Sequence, residues 1–476
     1  MKNRGDVMRG VRGREASLVS AAKIFAAAVA SGLTAVAART VTVAAGATAA
    51  VAASAIAFAA AASTPVASTS APVTGPSVGD GGVSAFYVWQ DALPATRGSM
   101  LREEPLSPPQ SQPAAAANLR ILYTSTAGVG GHDRGVAVSG ALYLPNGAMP
   151  KGGWPIVAWA HGTTGIADVC APSWRGQSRR DQVYLDAWLS HGFAVVATDY
   201  EGLGTPGIHP YLLWRSEGYA VLDAVRAALQ RHPQQLRNQV VVIGQSQGSG
   251  AALGATFLSP TYAPQLHVLG TVATGLVVTF RPDAHVKLPP KPAQYTDPTL
   301  MDPAYAILRI AGTDRSLHPE IDTAEFVTAQ GRPLLHAALT SCVHDLFDLS
   351  AREKLTGAQV FTGKLATIDS DMEANFEFPS ARMPVPIFVG TGLADGEAGT
   401  AQQYNAVAGM CAAGTSVEWH TYPGLTHNGA VNASLQDSLP FVERLQSGKS
   451  AAQATCGHVE PLGPPQKADP SVPFND

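Results

Sequence analysis

The chain has 476 residues, of which 14% are charged, and its formal net charge is −4. That balance, with no Lys/Arg cluster beyond the N-terminal stretch, argues against nucleic acid as a partner. No Cys-x-x-Cys or His-x-x-x-His spacing occurs, so neither a metal nor a cofactor is expected, and no repeat period is present.

The first 39 residues carry Lys2, Arg4, Arg9, Arg12, Arg14, Lys23 and Arg39, and no further charge follows until Asp80. A basic start, an apolar stretch over 41–60 and small residues at 60–63 read as an export signal over 1–62. A membrane-anchoring helix is the rival, since the stretch is long enough. It is the weaker reading, because alanine is only weakly apolar and Thr, Gly and Ser are interspersed. Residues 63–84, rich in Pro, Ser, Thr and Gly, read as a disordered linker. The span 85–458 is long enough for one large folded domain with a substantial core, leaving 459–476 as a C-terminal tail.

Within that domain, Pro155 to Ala160 is a strand-like run leading into His161, Gly162, Thr163, Thr164 and Gly165. Farther on, the apolar run Gln239 to Ile243 is followed by Gly244, Gln245, Ser246, Gln247 and Gly248, and then by small residues suited to a helix. Glycines two before and two after a serine allow a tight, strained strand-to-helix turn that displays the hydroxyl above a sheet edge. Gly-x-Ser-x-Gly alone can be a flexible turn; the β-run before it and the small-residue helix after it favour a nucleophile elbow at Ser246.

A serine hydroxyl needs a histidine base, itself oriented by a carboxylate. In α/β-hydrolases these follow in the order serine, acid, histidine, each in a loop after a strand. The run 385–389 is followed by Asp395, the run 416–422 by His427, and 400–411 between them has helical character. Glu397 is the rival to Asp395, which comes sooner after its strand. His420 lies within a strand pattern and reads as structural, whereas His191, His232 and His336 read as surface or packing residues. For the oxyanion of acyl transfer, the amide of Gln247 is one expected donor. Thr163 is the other, with Gly162 as its alternative, while His161 is expected to fix the loop rather than act as a base.

Roughly a hundred residues separate the strand run at 269–274 from that at 385, far more than a crossover needs. Residues 276–384 therefore contain an insertion. Pro282, Pro289, Pro290, Pro292 and Pro298 punctuate its start, and helical patterns follow at 302–311, 323–330 and 343–352. These helices either extend the core or form a cap over the serine that offers an apolar slot.

The segments AWAHGTTG at 158–165, TDYEGLGTPG at 198–207, GQSQG at 244–248, VGTGLADGEAG at 389–399 and YPGLTHNGA at 422–430 resemble the secretory lipase family of α/β-hydrolases. That group includes the yeast lipase A type and bacterial relatives, and the likeness spans 86 to about 456. It implies an α/β-hydrolase fold: a mostly parallel sheet with helices on both faces and an inserted helical cap. It also implies a lipase or esterase with Ser246, Asp395 and His427 as its triad.

All four cysteines, Cys170, Cys342, Cys411 and Cys456, lie in the expected mature part, so two disulfides are expected of an exported chain and three pairings are open. The family's cysteine layout resembles Cys170 with Cys342 and Cys411 with Cys456, although its spacings differ.

The expected activity is hydrolysis of a small-molecule or lipid carboxylic ester, compatible with transient contact with a lipid interface. The alternatives are an acyltransferase using the same triad, a serine peptidase of this fold and a non-catalytic binding protein. The complete triad counts against the last.

Overall fold

The computed structural model describes residues 80–129, 134–280, 300–364, 375–449, 455–457 and 459–476. The expected export signal, most of the expected linker and the proline-punctuated start of the insertion lie outside them.

Central strands buried on both faces need continuous apolar runs, and the chain supplies them. In chain order the strands are β1 (Met100–Pro105), β2 (Ala115–Thr126), β3 (Gly135–Pro145), β4 (Trp154–Ala160), β5 (Ala194–Thr198), β6 (Leu236–Gln245), β7 (Val268–Thr274), β8 (Thr279–Phe280), β9 (Glu377–Phe378), β10 (Ile387–Gly392) and β11 (Val417–Tyr422). Nine of them form one sheet in the order β1-β2-β3-β5-β4-β6-β7-β10-β11. The pairings from β1 to β5 are antiparallel, and those from β5 through β11 are all parallel. The fold is that of an α/β-hydrolase.

Alternate side chains on β4 and β6 divide the core between the two faces. Ile156, Ala158, Val240 and Val242 pack with Ala224 and Ala228 of helix Trp214–Arg231 and with Ala252 of helix Gln247–Tyr262. Val157, Trp159, Val241 and Ile243 pack instead with Tyr184 and Trp188 of helix Arg179–Ser190 and with Phe441 of helix Leu435–Gln446. Helix Thr400–Ala412 crosses from β10 to β11 and buries Ala406, Val407 and Met410 against Ile387 and Val389.

The insertion is bracketed by a two-stranded parallel ladder of β8 and β9. Helix Pro303–Arg309 runs directly into a π turn at Ile310–Asp314, followed by helices Arg332–Thr340 and Val343–Glu353. The helical pattern at 323–330 is only a short 3-10 turn, Thr323–Phe326. Pro333 suits the first turn of helix Arg332–Thr340, where no backbone N–H is needed, and that helix was not read from sequence. These elements bury their own apolar cluster, including Ile307, Leu308, Leu334 and Leu346, which also takes in Ile166 and Tyr211 from the loops beside it.

Within the segment expected as linker, Asp80 accepts the N–H of Asp168 (2.8 Å) and Gly81 donates to the Asp168 carboxyl (2.9 Å). The segment expected as a tail, 459–476, instead bonds back onto the domain: Gln466 N–H to the Leu393 carbonyl (2.6 Å) and Asp469 N–H to that of Gly424 (2.9 Å). Backbone pairing of this kind is invisible in composition, which is all that marks a linker or tail in sequence. Disulfides join Cys170 to Cys342 and Cys411 to Cys456, the first tying the insertion to the loop after β4. Among the described residues, no helix is long and apolar enough to cross a membrane.

Candidate active site

In an open parallel sheet, loops at the carboxyl ends of the strands gather on one edge. Ser246 follows β6, Asp395 follows β10, His427 follows β11, and His161 to Gly165 follow β4. Four loops distant in sequence thus share one edge.

Ser246 has φ 55° and ψ −123°, a left-handed conformation that a non-glycine residue adopts only under strain. Its flanking glycines are required by contact. A Cβ on Gly244 would sit 1.8 Å from the Gly248 carbonyl oxygen, and one on Gly248 would sit 1.9 Å from that of Ala160. The turn is held by the Ser246 N–H, which donates to the Thr274 carbonyl (3.0 Å). Gln247 opens the following helix, so its N–H has no partner within that helix.

Asp395 is fully buried. Its Oδ1 accepts the N–H groups of Glu397 (2.9 Å) and Ala398 (3.0 Å). Its Oδ2 accepts Gln403 Nε2 (2.7 Å) and His427 Nδ1 (2.8 Å). Burial alone would push this carboxyl up, but the adjacent His427 and the two N–H donors outweigh burial and hold it below the usual carboxylate range. The same pairing works in reverse on His427. Burial disfavours its imidazolium, yet the Asp395 charge and hydrogen bond, with Glu397, raise its pKa.

His427 Nε2 is buried and has no hydrogen-bond partner among the described residues. The ring lies against Gly275, where a Cβ would come 2.5 Å from its Cε1. Gly275 adjoins Thr274, the residue that accepts the Ser246 N–H, so the imidazole and the serine turn meet at one point of the β7 end.

Thr163 is half-buried in the loop after β4, and its hydroxyl bonds the Tyr211 hydroxyl (2.8 Å). The His161 ring bonds the Gly162 carbonyl (2.7 Å) and burial pushes its pKa down, which leaves it a loop-fixing group. Glu397 does not approach His427 through a hydrogen bond; its carboxylate accepts the Tyr305 hydroxyl of the insertion (2.6 Å). His420 stays in β11, stacked on Phe388 and bonded to Glu418 (3.2 Å).

Three further residues position this edge and were not read from sequence. Gln403 ties Asp395 to Thr391, to which its Oε1 is bonded (2.9 Å). Arg180 donates to Gln245 (3.0 Å) and to Asn428, joining the residue before the serine to the residue after the histidine. Asn475 accepts the Thr426 N–H (2.6 Å) and donates to the Gly424 carbonyl (2.9 Å), closing the histidine loop from the chain end. A Gln on a helix, an Arg and a near-terminal Asn carry no local pattern that would have singled them out.

Comparison with known proteins agrees with this architecture. A family model for secretory lipases matches residues 176–453. A secreted triacylglycerol lipase (LIP4) of Malassezia furfur is 25% identical over 299 residues, covering 60% of this chain and 54% of that lipase, so the match spans about half of that relative's length. Lipase A of Moesziomyces aphidis is 24% identical over 366 residues, covering 72% of this chain and 74% of that protein. Among solved structures, Candida antarctica lipase A in its closed state superposes with a TM-score of 0.58 at 20% identity, covering 79% of this chain and 87% of that one. A rice cell wall degrading esterase from Xanthomonas oryzae gives 0.53 at 16% identity, covering 74% and 98%. The structural likenesses speak to the fold alone; with the family match over more than half its length, the chain belongs to the secretory lipase family.

Proposed function

We propose that this exported member of the secretory lipase family is a carboxylic ester hydrolase that works through an acyl-enzyme on Ser246. In this mechanism His427 Nε2 removes the Ser246 proton as Oγ attacks the ester carbonyl. Asp395 holds the imidazole through Nδ1 and stabilises the imidazolium. The N–H groups of Gln247 and Thr163 receive the oxyanion. His427 then protonates the departing alcohol, and water, activated by the same imidazole, releases the acid.

The observation that carries this reading is the His427 ring: fixed at Nδ1 by Asp395, unpartnered at Nε2, and seated at the point that anchors the serine turn. Export agrees with family membership and with the use of all four cysteines in disulfides. Acylglycerols and smaller acyl esters are the substrates this reading names. The insertion, 276–384, acts in it as a cap shaping an acyl slot, consistent with the contact of its π turn with the loops beside the site.

The test is a chain-length series of esters, with aminoacyl amides in parallel and a fluorophosphonate label located by mass spectrometry. Ester turnover with label on Ser246 is the expected result. Amide turnover instead would identify a peptidase, acyl transfer to an added alcohol in preference to water would identify a transferase, and label elsewhere would remove Ser246 from the reaction.

A further inference from the structure

Behind the proposed oxyanion donor lies a buried polar array that the mechanism above does not use. Gln247 is 1% exposed, as is Glu217 on the neighbouring helix Trp214–Arg231. The two helices approach closely here: a Cβ on Gly218, the next residue, would fall 2.7 Å from the Ala255 nitrogen.

The hydrogen positions in this array follow from its partners. His209 Nδ1 faces the Glu201 carbonyl oxygen (2.8 Å) and therefore carries a proton. Burial pushes this imidazole down to about 4, so the ring is neutral and its Nε2 is an acceptor. Gln247 Nε2, 3.0 Å from that nitrogen, donates to it and gives its second hydrogen to Glu217 Oε1 (2.7 Å). Glu217 Oε1 also accepts the Leu212 N–H (3.0 Å).

Two atoms are left over: Gln247 Oε1 and Glu217 Oε2, both buried and both without a partner among the described residues. They belong to an amide and a carboxyl already joined through their other atoms. If both were bare acceptors, their lone pairs would be left unsatisfied in a buried site. A proton on Glu217 Oε2 turns one of these two acceptors into a donor and eases the conflict.

The charges around Glu217 favour the same state. Its titratable neighbours are Tyr200 and Tyr211, which burial keeps protonated, and neutral His209; among the described residues no cation acts on it. The nearby Glu201 carboxyl is occupied by the Ser216 hydroxyl, the Gly128 N–H and Arg134 (3.6 Å). Burial drives the Glu217 carboxyl up to about 8, against the hydrogen bonds of Gln247 and Leu212, which pull it down.

We propose that Glu217 is a positioning residue that acts as a neutral acid, clamping the Gln247 carboxamide so that the Gln247 N–H stays aimed at the oxyanion. The proposal rests on the ester-hydrolase reading of the site. Its physical logic is twofold. The bond from Gln247 Nε2 to Glu217 Oε1 holds the side chain of the first residue of the helix, and a neutral acid keeps negative charge away from the place where the transition state develops its own. Ionisation of Glu217 would undo both effects, so kcat should fall on the alkaline side as pH rises past about 8.

The experiment compares Glu217→Leu, Glu217→Gln and wild type by steady-state kinetics across pH, with infrared spectra alongside. Glu217→Leu should lose roughly ten- to a hundredfold in kcat with little change in KM, because the donor is displaced rather than the substrate pocket. Glu217→Gln, which reproduces the shape and donor pattern of the neutral acid, should restore most of that loss and abolish the alkaline fall. The wild-type minus Glu217→Gln infrared difference at pH 7 should contain the carbonyl band of a protonated carboxylic acid. An ionised-carboxylate band there would overturn the proposal, as would an unchanged alkaline limb in Glu217→Gln or failure of that isosteric variant to fold. The infrared reading does not depend on turnover, so it separates failure of this proposal from failure of the ester-hydrolase reading.

Discussion

The carboxyl edge of the parallel strands and the insertion above it are held by different forces. At the edge, Asp395 accepts four hydrogen bonds, and the Ser246 turn is fixed by backbone contacts that leave no room for a Cβ at either flanking glycine. The insertion rests on an apolar cluster, a disulfide and a few polar ties, such as Tyr305 to Glu397 and the Val343 N–H to the Thr164 carbonyl (2.9 Å). Directional bonds fix positions to fractions of an ångström, whereas apolar contacts tolerate repacking. Substitutions at the edge should therefore change rate by orders of magnitude, and substitutions in the insertion should tune selectivity.

The largest effect expected is from Ser246→Ala, which should reduce kcat on the order of a million-fold while the circular dichroism spectrum stays that of wild type. Retention of more than a tenth of the activity would place the nucleophile elsewhere. Asp395→Asn comes next, at roughly ten-thousandfold, because the amide cannot hold the histidine tautomer. Glu397→Gln should cost only a few-fold, since its carboxylate meets Tyr305 and not the imidazole. Equal losses in the two variants would break the assignment of the acid.

The pH dependence sharpens the same contrast. In the proposed mechanism His427 must be unprotonated to act as base, and its pairing with Asp395 raises its pKa above the ordinary 6.5. The active fraction is therefore lost as pH falls through that raised value, about tenfold per pH unit below it. In Asp395→Asn the supporting charge is gone, so the acid limb of kcat/KM should move to lower pH. A limb that stays put would mean another group controls it.

Within the insertion, shrinking or enlarging half-buried apolar side chains such as Phe347 and Leu349 should shift acyl-length preference by about 1–3 kcal/mol per methylene. Stability must be followed in the same variants. A set that keeps the wild-type chain-length profile would make the insertion structural and move the acyl slot elsewhere. A modest effect also belongs to Asn475→Ala, expected to lower kcat by about tenfold or less through loosening of the Thr426 and Gly424 bonds that support the histidine loop. No change in kcat would show that this loop does not need the chain end.

The central strands and the serine turn were legible because their causes are local. Short valine-rich runs favour buried strands, and glycines at 244 and 248 flanked by such a run and a small-residue helix favour a tight turn. Asp395 and His427 could be nominated as candidates because each follows a strand within a few residues. The antiparallel strands β1 to β3 and the central strand β5 were not read, and the helix Arg332–Thr340 was missed beside the proline that starts it.

What the sequence determined by itself was therefore the family, the fold and which local turns could carry reactive side chains. What only the tertiary structure decided was who holds those side chains in place. Gln403 reaches Asp395 from the next helix, and Arg180 spans from the serine strand to the histidine loop. Asn475 returns from the chain end, and Glu217 meets Gln247 across a helix pair. Apart from Gln403, which lies eight residues from Asp395, each of these contacts joins residues that are neighbours only after the chain has closed on itself. A hydrogen bond depends on distance and direction between two groups, and a linear pattern records neither for residues that meet only through the fold.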